Sequence, residues 1–172
     1  MLFGVALGAL IALLVRITFI YQDTGGWAVP ELLLGVRGMS RHLIMQVLYA
    51  VRTALLFFYL LFILRVLLRN QWAAALAFVL LFAVIDALDS TTPLFEAATT
   101  FVYFSMLAVA VLRWGLTTLT VALFVGNLLL NVPATTDFSA WYLSVSTLEL
   151  AIPLALAALA FYTSIRGRAF AV

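Results

Sequence analysis

The chain has 172 residues, 67% of them hydrophobic and only 9% charged, and its mean hydropathy is +1.23. A soluble domain of this length normally carries charge on about a quarter of its residues, so the composition excludes a water-soluble protein and predicts an integral membrane protein. There is no Cys, no Lys and a single His, His42. These counts exclude disulfides, thiolate metal sites, Schiff-base chemistry and, within one chain, any site that needs two imidazoles.

Six apolar segments follow one another along the chain. Each is predicted to be a helix, because a backbone in lipid must satisfy its hydrogen bonds within the segment. A hydrocarbon core of about 30 Å takes ~20 helical residues, so the third and fifth segments are short and the second is long. The fold class is therefore all-α, a polytopic transmembrane helical bundle forming one membrane domain over residues 1–172. The predicted spans are 2–21, 43–68, 72–88, 93–112, 115–132 and 140–164.

The first apolar run begins without a preceding basic residue, which argues against a secretory signal. Such an abrupt start would suit a fragment of a longer protein. After this span, Gly25 and Gly26 predict a helix break, and Pro30 with Glu31 predicts a new helix start. The following LLLGVRGM is too short to span. We therefore predict a short interfacial helix at about 30–40.

Helix-start and turn signals mark two of the later boundaries. Thr92 is predicted to cap the fourth helix, with Pro93 at its first position and Glu96 in its first turn. Gly115 is predicted to close a tight turn between the fourth and fifth helices.

The charges divide between the two ends of a six-span bundle. One end, which also holds both termini, carries arginines without any acid, and the positive-inside rule makes this end cytoplasmic. The cytoplasmic arginines are Arg65, Arg69, Arg113, Arg166 and Arg168. The opposite end carries Asp23, Glu31, Asp86, Asp89, Glu96 and Asp137 against Arg37 and Arg41.

Arg52 and Glu149 are the most deeply placed charges of the predicted spans. Each lies about ten residues into a span that enters from the non-cytoplasmic side, so the two have similar depth. One interpretation is a buried ion pair that fixes helix packing, with Arg16 as the second choice of partner for Glu149. The other is a proton or substrate site. We favour the ion pair, because no other residue at this depth resembles a relay.

Other candidate residues carry weaker signals. Gly4 and Gly8 form a G-x-x-x-G pattern that permits close helix packing. Asp86 and Asp89 share one helix face and offer oxygen ligands to a cation, although carboxylates at a membrane surface are more often simply solvated. His42 is expected at the membrane interface rather than as a haem or pigment ligand.

The motifs of metalloproteases, serine hydrolases, intramembrane proteases and phosphate-binding loops are absent. We therefore predict no enzyme activity, no catalytic residue, no metal, no cofactor and no nucleic-acid partner.

Three stretches carry a family resemblance: LRVLLRNQWAAALAFVLLFA, LRWGLTTLTVALFVGNLLLNVP and DFSAWYLSVSTLELAIPLALAALAFYTSIRGRAF. They resemble the C-terminal multi-span membrane region of bacterial serine/threonine protein kinases, notably those of Acidobacteria, and the opening LFGVALG is also similar. The resemblance covers most of the chain and is least clear over residues 21–50. The matching positions are Arg69, Gln71, Trp72, Ser139 to Tyr142, Tyr162, Ser164, Gly167 and Arg168, whereas Ala169 departs from the Gly-Arg-Pro ending of the family.

The resemblance implies a membrane region that follows a cytoplasmic kinase, which agrees with a cytoplasmic N-terminus. The kinase signatures themselves are absent, so no catalytic residue is carried over. We expect a non-enzymatic module of a bacterial inner membrane, acting as anchor, signal-input module or accessory subunit. Its partners would be the lipid bilayer and either other membrane subunits or a cytoplasmic signalling domain. Two alternatives are a structural subunit of a larger membrane complex and the core of a small-solute or proton transporter.

Overall fold

The computed structural model describes residues 1–21, 36–89, 92–131 and 143–169, and six helices account for nearly all of them. Within these ranges there is no strand, so the predicted all-α class is confirmed. The helices are α1 Leu2–Tyr21, α2 Val36–Leu68, α3 Gln71–Asp89, α4 Pro93–Trp114, α5 Leu116–Asn131 and α6 Leu143–Ala169.

Four of these helices are long and apolar enough to cross a membrane: α1, α2, α3 and α4. The apolar parts of α5 and α6 are shorter, at Leu116–Asn131 and Leu150–Thr163. Many large apolar side chains point outward, including Leu56, Tyr59 and Phe62 of α2. Outward apolar surface on this scale fits helices solvated by lipid rather than by water.

The second helix differs from its predicted form. It runs without a break from Val36 to Leu68, so residues 36–40 of the predicted interfacial helix belong to α2, and residues 30–35 lie outside the described part. A single glycine such as Gly38 costs a helix only about 1 kcal/mol relative to alanine. No proline interrupts this stretch, so the helical hydrogen bonds continue through it.

The chain divides into two compact units. The predicted single membrane domain over residues 1–172 stays a prediction. The first unit consists of Met1–Ala50 and Val121–Val172, and the second of Val51–Thr120. In the first unit α1 packs against α6, and in the second α3 packs against α4.

Two tight turns follow α2 and α4. Between α2 and α3, Arg69 adopts a left-handed backbone conformation with φ 54°, and the Oδ1 atom of Asn70 accepts a 3.0 Å hydrogen bond from the Trp72 N–H. Asn70 therefore caps the N-terminus of α3. Between α4 and α5, Gly115 has φ 83° and its N–H donates to the carbonyls of Ala110 and Val111.

The start of α4 follows the prediction only in part. Pro93 begins the helix and Glu96 lies in its first turn. Thr92 occupies the cap position, but its side chain makes no capping hydrogen bond. The Thr92 carbonyl accepts the first intrahelical hydrogen bond of α4, from the backbone N–H of Glu96 at 3.1 Å.

Candidate functional site: polar and close contacts between apolar helices

Arg16 joins the end of α1 to the end of α5. Its Nη2 atom donates a 2.9 Å hydrogen bond to the carbonyl oxygen of Leu129. Leu129 lies in the last turn of α5, where helix carbonyls have no partner within the helix and carry the negative end of the helix dipole. The half-buried guanidinium therefore satisfies a carbonyl that lipid could not.

Two turns earlier in α1, Gly8 brings the same two helices into backbone contact. A Cβ atom built on Gly8 would lie 2.6 Å from the Ala122 carbonyl oxygen and 2.8 Å from the Cβ of Val125. No real side chain tolerates these distances without a shift of the backbone. A Cβ on the facing Gly126 would meet its nearest atom, the Gly8 carbonyl oxygen, at 3.4 Å, which is ordinary contact. The close approach therefore depends on Gly8, while Gly4 is buried in the same helix.

His42 lies on the packed face of α2 rather than on its outer face. Its side chain is only 6% exposed, and the neighbouring Met39 is equally buried. The Nε2 atom of Gln46 lies 3.4 Å from the His42 Nε2 atom, one turn along the helix. The amide can donate to this ring nitrogen when the nitrogen carries no proton. The sequence gave no signal for this burial, and the expected position of His42 at the membrane interface stays a prediction.

Asp86 connects two helices of the second unit. Its Oδ2 atom accepts a 2.7 Å hydrogen bond from the Thr100 hydroxyl, which joins α3 to α4. Thr100 is 7% exposed, so its hydroxyl is satisfied by this carboxylate. The structure thus gives Asp86 a partner within the protein, whereas the side chain of Asp89 lies outside the described part.

Four phenylalanine rings form the centre of the second unit. Phe57 of α2, Phe78 and Phe82 of α3 and Phe104 of α4 all lie within 5.7 Å of one another, centroid to centroid. Phe82 and Phe104 are stacked at 4.1 Å with 7° between their planes, and the other pairs meet edge to face. We call these four residues the phenylalanine cluster. Each such ring pair adds about 0.5–1.5 kcal/mol beyond the area it buries.

The predicted ion pair between Arg52 and Glu149 stays a prediction. Arg52 is an exposed residue of α2, and Glu149 lies in α6 with its side chain outside the described part of the chain. Pro153 lies four residues after Glu149 and has no N–H to donate to the Glu149 backbone carbonyl. This local feature of α6 is readable from the sequence.

Sequence reasoning named Gly8, Arg16 and Asp86 but missed the groups they contact. Ala122 and Gly126 repeat the small-residue spacing of α1 on α5, which was a usable signal for close packing. The Leu129 carbonyl carries no sequence signal, since any residue there would present the same atom. The contacts described above can join helices. No cluster of three or more metal-ligating side chains occurs among the residues that the structure describes.

The comparisons with known proteins give no relative from which a role could be transferred. No family model matches the chain, and neither the curated proteins nor the solved structures contain a match.

Proposed function

We propose that this chain is a non-enzymatic, six-pass module of a bacterial inner membrane with both termini in the cytoplasm. The observation that carries the proposal is how the polar side chains of its apolar helices are used. Arg16 donates to a helix-end carbonyl, and Asp86 accepts from Thr100 of a neighbouring helix. Each of these groups is engaged with a neighbouring helix, which favours a structural module, such as an anchor or an accessory subunit, over a relay for protons or solutes.

The distribution of charge in the second unit supports the proposed orientation. Consecutive helices α3 and α4 pack together, and the hydrogen bond from Thr100 places the end of α3 beside the beginning of α4. The acids Asp86 and Glu96 therefore share one end of this helix pair. Arg113 lies in the last turn of α4, at the other end. Under the positive-inside rule the arginine end faces the cytoplasm.

Cysteine accessibility tests this orientation, because the natural chain has no Cys. We would place single cysteines at Gln71 and Thr92, two exposed positions at opposite ends of α3 and α4. A membrane-impermeant maleimide applied to intact spheroplasts should label the Thr92→Cys variant and leave Gln71→Cys unmodified until the membrane is permeabilised. The reverse pattern would overturn the orientation. Failure to recover either variant in the membrane fraction would overturn the membrane assignment itself.

The resemblance to kinase-associated membrane regions supports a role in signalling. In this role the module would anchor a cytoplasmic signalling domain or pass it a signal from the membrane. Purification from the native membrane in a mild detergent, followed by mass spectrometry, would test this role. We expect a cytoplasmic signalling protein in stoichiometric amount, or a signalling domain on the same polypeptide. Recovery in a large assembly of membrane subunits would replace this role with that of a structural subunit.

The non-enzymatic part of the proposal has its own test. The purified chain should neither hydrolyse ATP nor transfer phosphate, because its sequence lacks a nucleotide-binding element. Turnover that persists after removal of every co-purifying protein would contradict this.

A further inference from the structure

The first turns of α2 present two arginines on the outside of the first unit. Arg37 and Arg41 are both exposed and lie four residues apart, so they are neighbours on one face of the helix. Met39 and His42 are buried on the opposite face, at 6% exposure each. The packed face therefore fixes the direction in which the two arginines point, away from the protein.

The same outer face continues as apolar surface. Ile44 is 62% exposed and Leu48 is 59% exposed, and these positions follow Arg41 at the helical spacing of three and seven residues. A line along this face thus carries two guanidinium groups and then a row of aliphatic side chains. We call this line, from Arg37 to Leu48, the basic–apolar stripe.

This order of side chains has the chemistry of a phospholipid. The predominantly apolar part of α2 begins just after His42 and contains Gln46 and Arg52, so Arg37 and Arg41 fall at the level of the headgroups when this part lies in the hydrocarbon. Guanidinium groups bind phosphate oxygens in a bidentate manner. The aliphatic row beyond them offers a surface on which acyl chains can lie.

We propose that the basic–apolar stripe is a binding site for an anionic phospholipid, with Arg37 and Arg41 holding the headgroup phosphate and Ile44 and Leu48 contacting the acyl chains. The site rests on the proposed membrane placement of the chain. Under the proposed orientation it belongs to the non-cytoplasmic leaflet. An arginine near a lipid surface strengthens the binding of anionic lipid about fivefold, so the site should select phosphatidylglycerol over phosphatidylcholine.

Lipid selectivity can be measured at the stripe itself in the full-length, Cys-free chain. A fluorophore on the single cysteine of Leu48→Cys would report contact with lipids that carry a nitroxide quencher on the acyl chain. The matched control is Leu80→Cys, because Leu80 is 46% exposed on α3, a helix without an arginine. The protein would be reconstituted into vesicles containing equal parts of phosphatidylglycerol and phosphatidylcholine, with the quencher on one lipid at a time.

At position 48 we expect the apparent association of phosphatidylglycerol to exceed that of phosphatidylcholine by about fivefold or more. At position 80 the two should be equal. The double substitution R37Q/R41Q should remove the preference at position 48 and leave position 80 unchanged. Equal quenching by both lipids at position 48, or a preference that survives R37Q/R41Q, would overturn the proposal and favour an acidic protein partner for the arginines.

Two further measurements keep the test decisive. If R37Q/R41Q does not fold, R37K/R41K keeps the charge, and its preference should fall as sodium chloride is raised; a salt-independent preference would overturn the proposal. Inorganic phosphate should not displace the lipid beyond the effect of sodium chloride at equal ionic strength. Displacement by phosphate alone would identify a free-anion site instead.

Failure of the membrane placement looks different from failure of this site. If no lipid quenches the fluorophore at position 80, the proposed membrane placement is wrong. If both lipids quench it there and position 48 shows no preference, only the lipid site is wrong.

Discussion

The α1–α5 contact of the first unit and the phenylalanine cluster of the second join helices in opposite ways. At Gly8 the helices meet backbone to backbone, with no room for even one added carbon. In the phenylalanine cluster the helices meet through large side chains, and Phe78 is fully buried. Helices in lipid gain little from the hydrophobic effect, so both solutions depend on packing. The first relies on the absence of a side chain and the second on the volume of four side chains.

Removing one ring of the phenylalanine cluster should reduce the stability of the protein more than any other substitution considered below. Phe78→Ala takes away a ring that contacts all three others and leaves a cavity, so the free energy of unfolding should fall by about 3–5 kcal/mol. The midpoint of unfolding by SDS in mild-detergent micelles measures this loss. The matched control is Phe101→Ala, because Phe101 is 40% exposed on α4 and lipid or detergent can replace its contacts. Equal losses in the two variants would show that the cluster does not stabilise the unit.

Arg16 should be the most costly polar side chain to remove from the α1–α5 contact. In Arg16→Met the charge-assisted hydrogen bond to the Leu129 carbonyl is lost and the carbonyl stays in an apolar setting, which should cost about 1.5–3 kcal/mol. Arg16→Lys keeps a charged donor and should lose less. Both variants would be measured by the same SDS titration. If the methionine variant were as stable as the natural chain, the free-energy cost of placing the guanidinium charge in the membrane would equal the stabilisation from its hydrogen bond.

The close approach in the same contact is tested by adding a single methyl group. Gly8→Ala places a carbon 2.6 Å from the Ala122 carbonyl oxygen, so the helices must separate, and we expect a loss of about 1–3 kcal/mol. Gly126→Ala is the control on the facing helix. Its added carbon finds normal contacts, and alanine favours a helix over glycine by up to about 1 kcal/mol, so this variant should be neutral or more stable. Equal destabilisation by Gly8→Ala and Gly126→Ala would contradict the expectation that only position 8 is too close to the facing helix for a side chain.

The sequence could predict the two regions to different extents, because the α1–α5 contact depends on a single glycine and the phenylalanine cluster depends on tertiary packing. Helix bounds follow from apolar runs, glycine and proline, so five of the six predicted spans agree with a helix to within a few residues. α2 begins at Val36 rather than at the predicted residue 43, because no proline interrupts the chain between these positions. Gly8 was readable because the lack of a side chain is itself a sequence signal. The phenylalanine cluster was not predicted, although Phe78 and Phe82 lie four residues apart on one face of α3. Which other helices present rings to that face is a property of tertiary packing, and a single sequence does not contain it.

The smallest expected effect belongs to the hydrogen bond beside the cluster. Thr100→Val keeps the shape of the side chain but removes the hydroxyl that donates to Asp86 across α3 and α4. Interhelical hydrogen bonds in membrane proteins contribute about 0.6 kcal/mol on average, and the exposed carboxylate of Asp86 can be solvated once it is released. We therefore expect a loss of about 0.5–1 kcal/mol in the SDS titration.

The neighbouring Thr99 supplies the control, because its hydroxyl donates only within its own helix, to the carbonyls of Phe95 and Glu96 at 3.0 Å. Those carbonyls keep their helical N–H partners in Thr99→Val, so this variant should stay within about 0.5 kcal/mol of the natural chain. A double variant, Thr100→Val with Asp86→Asn, should lose little more than Thr100→Val alone if the two groups act as a pair. Additive losses would instead mean that Asp86 stabilises the second unit through other contacts, and the polar connection in this region would then be stronger than one hydrogen bond.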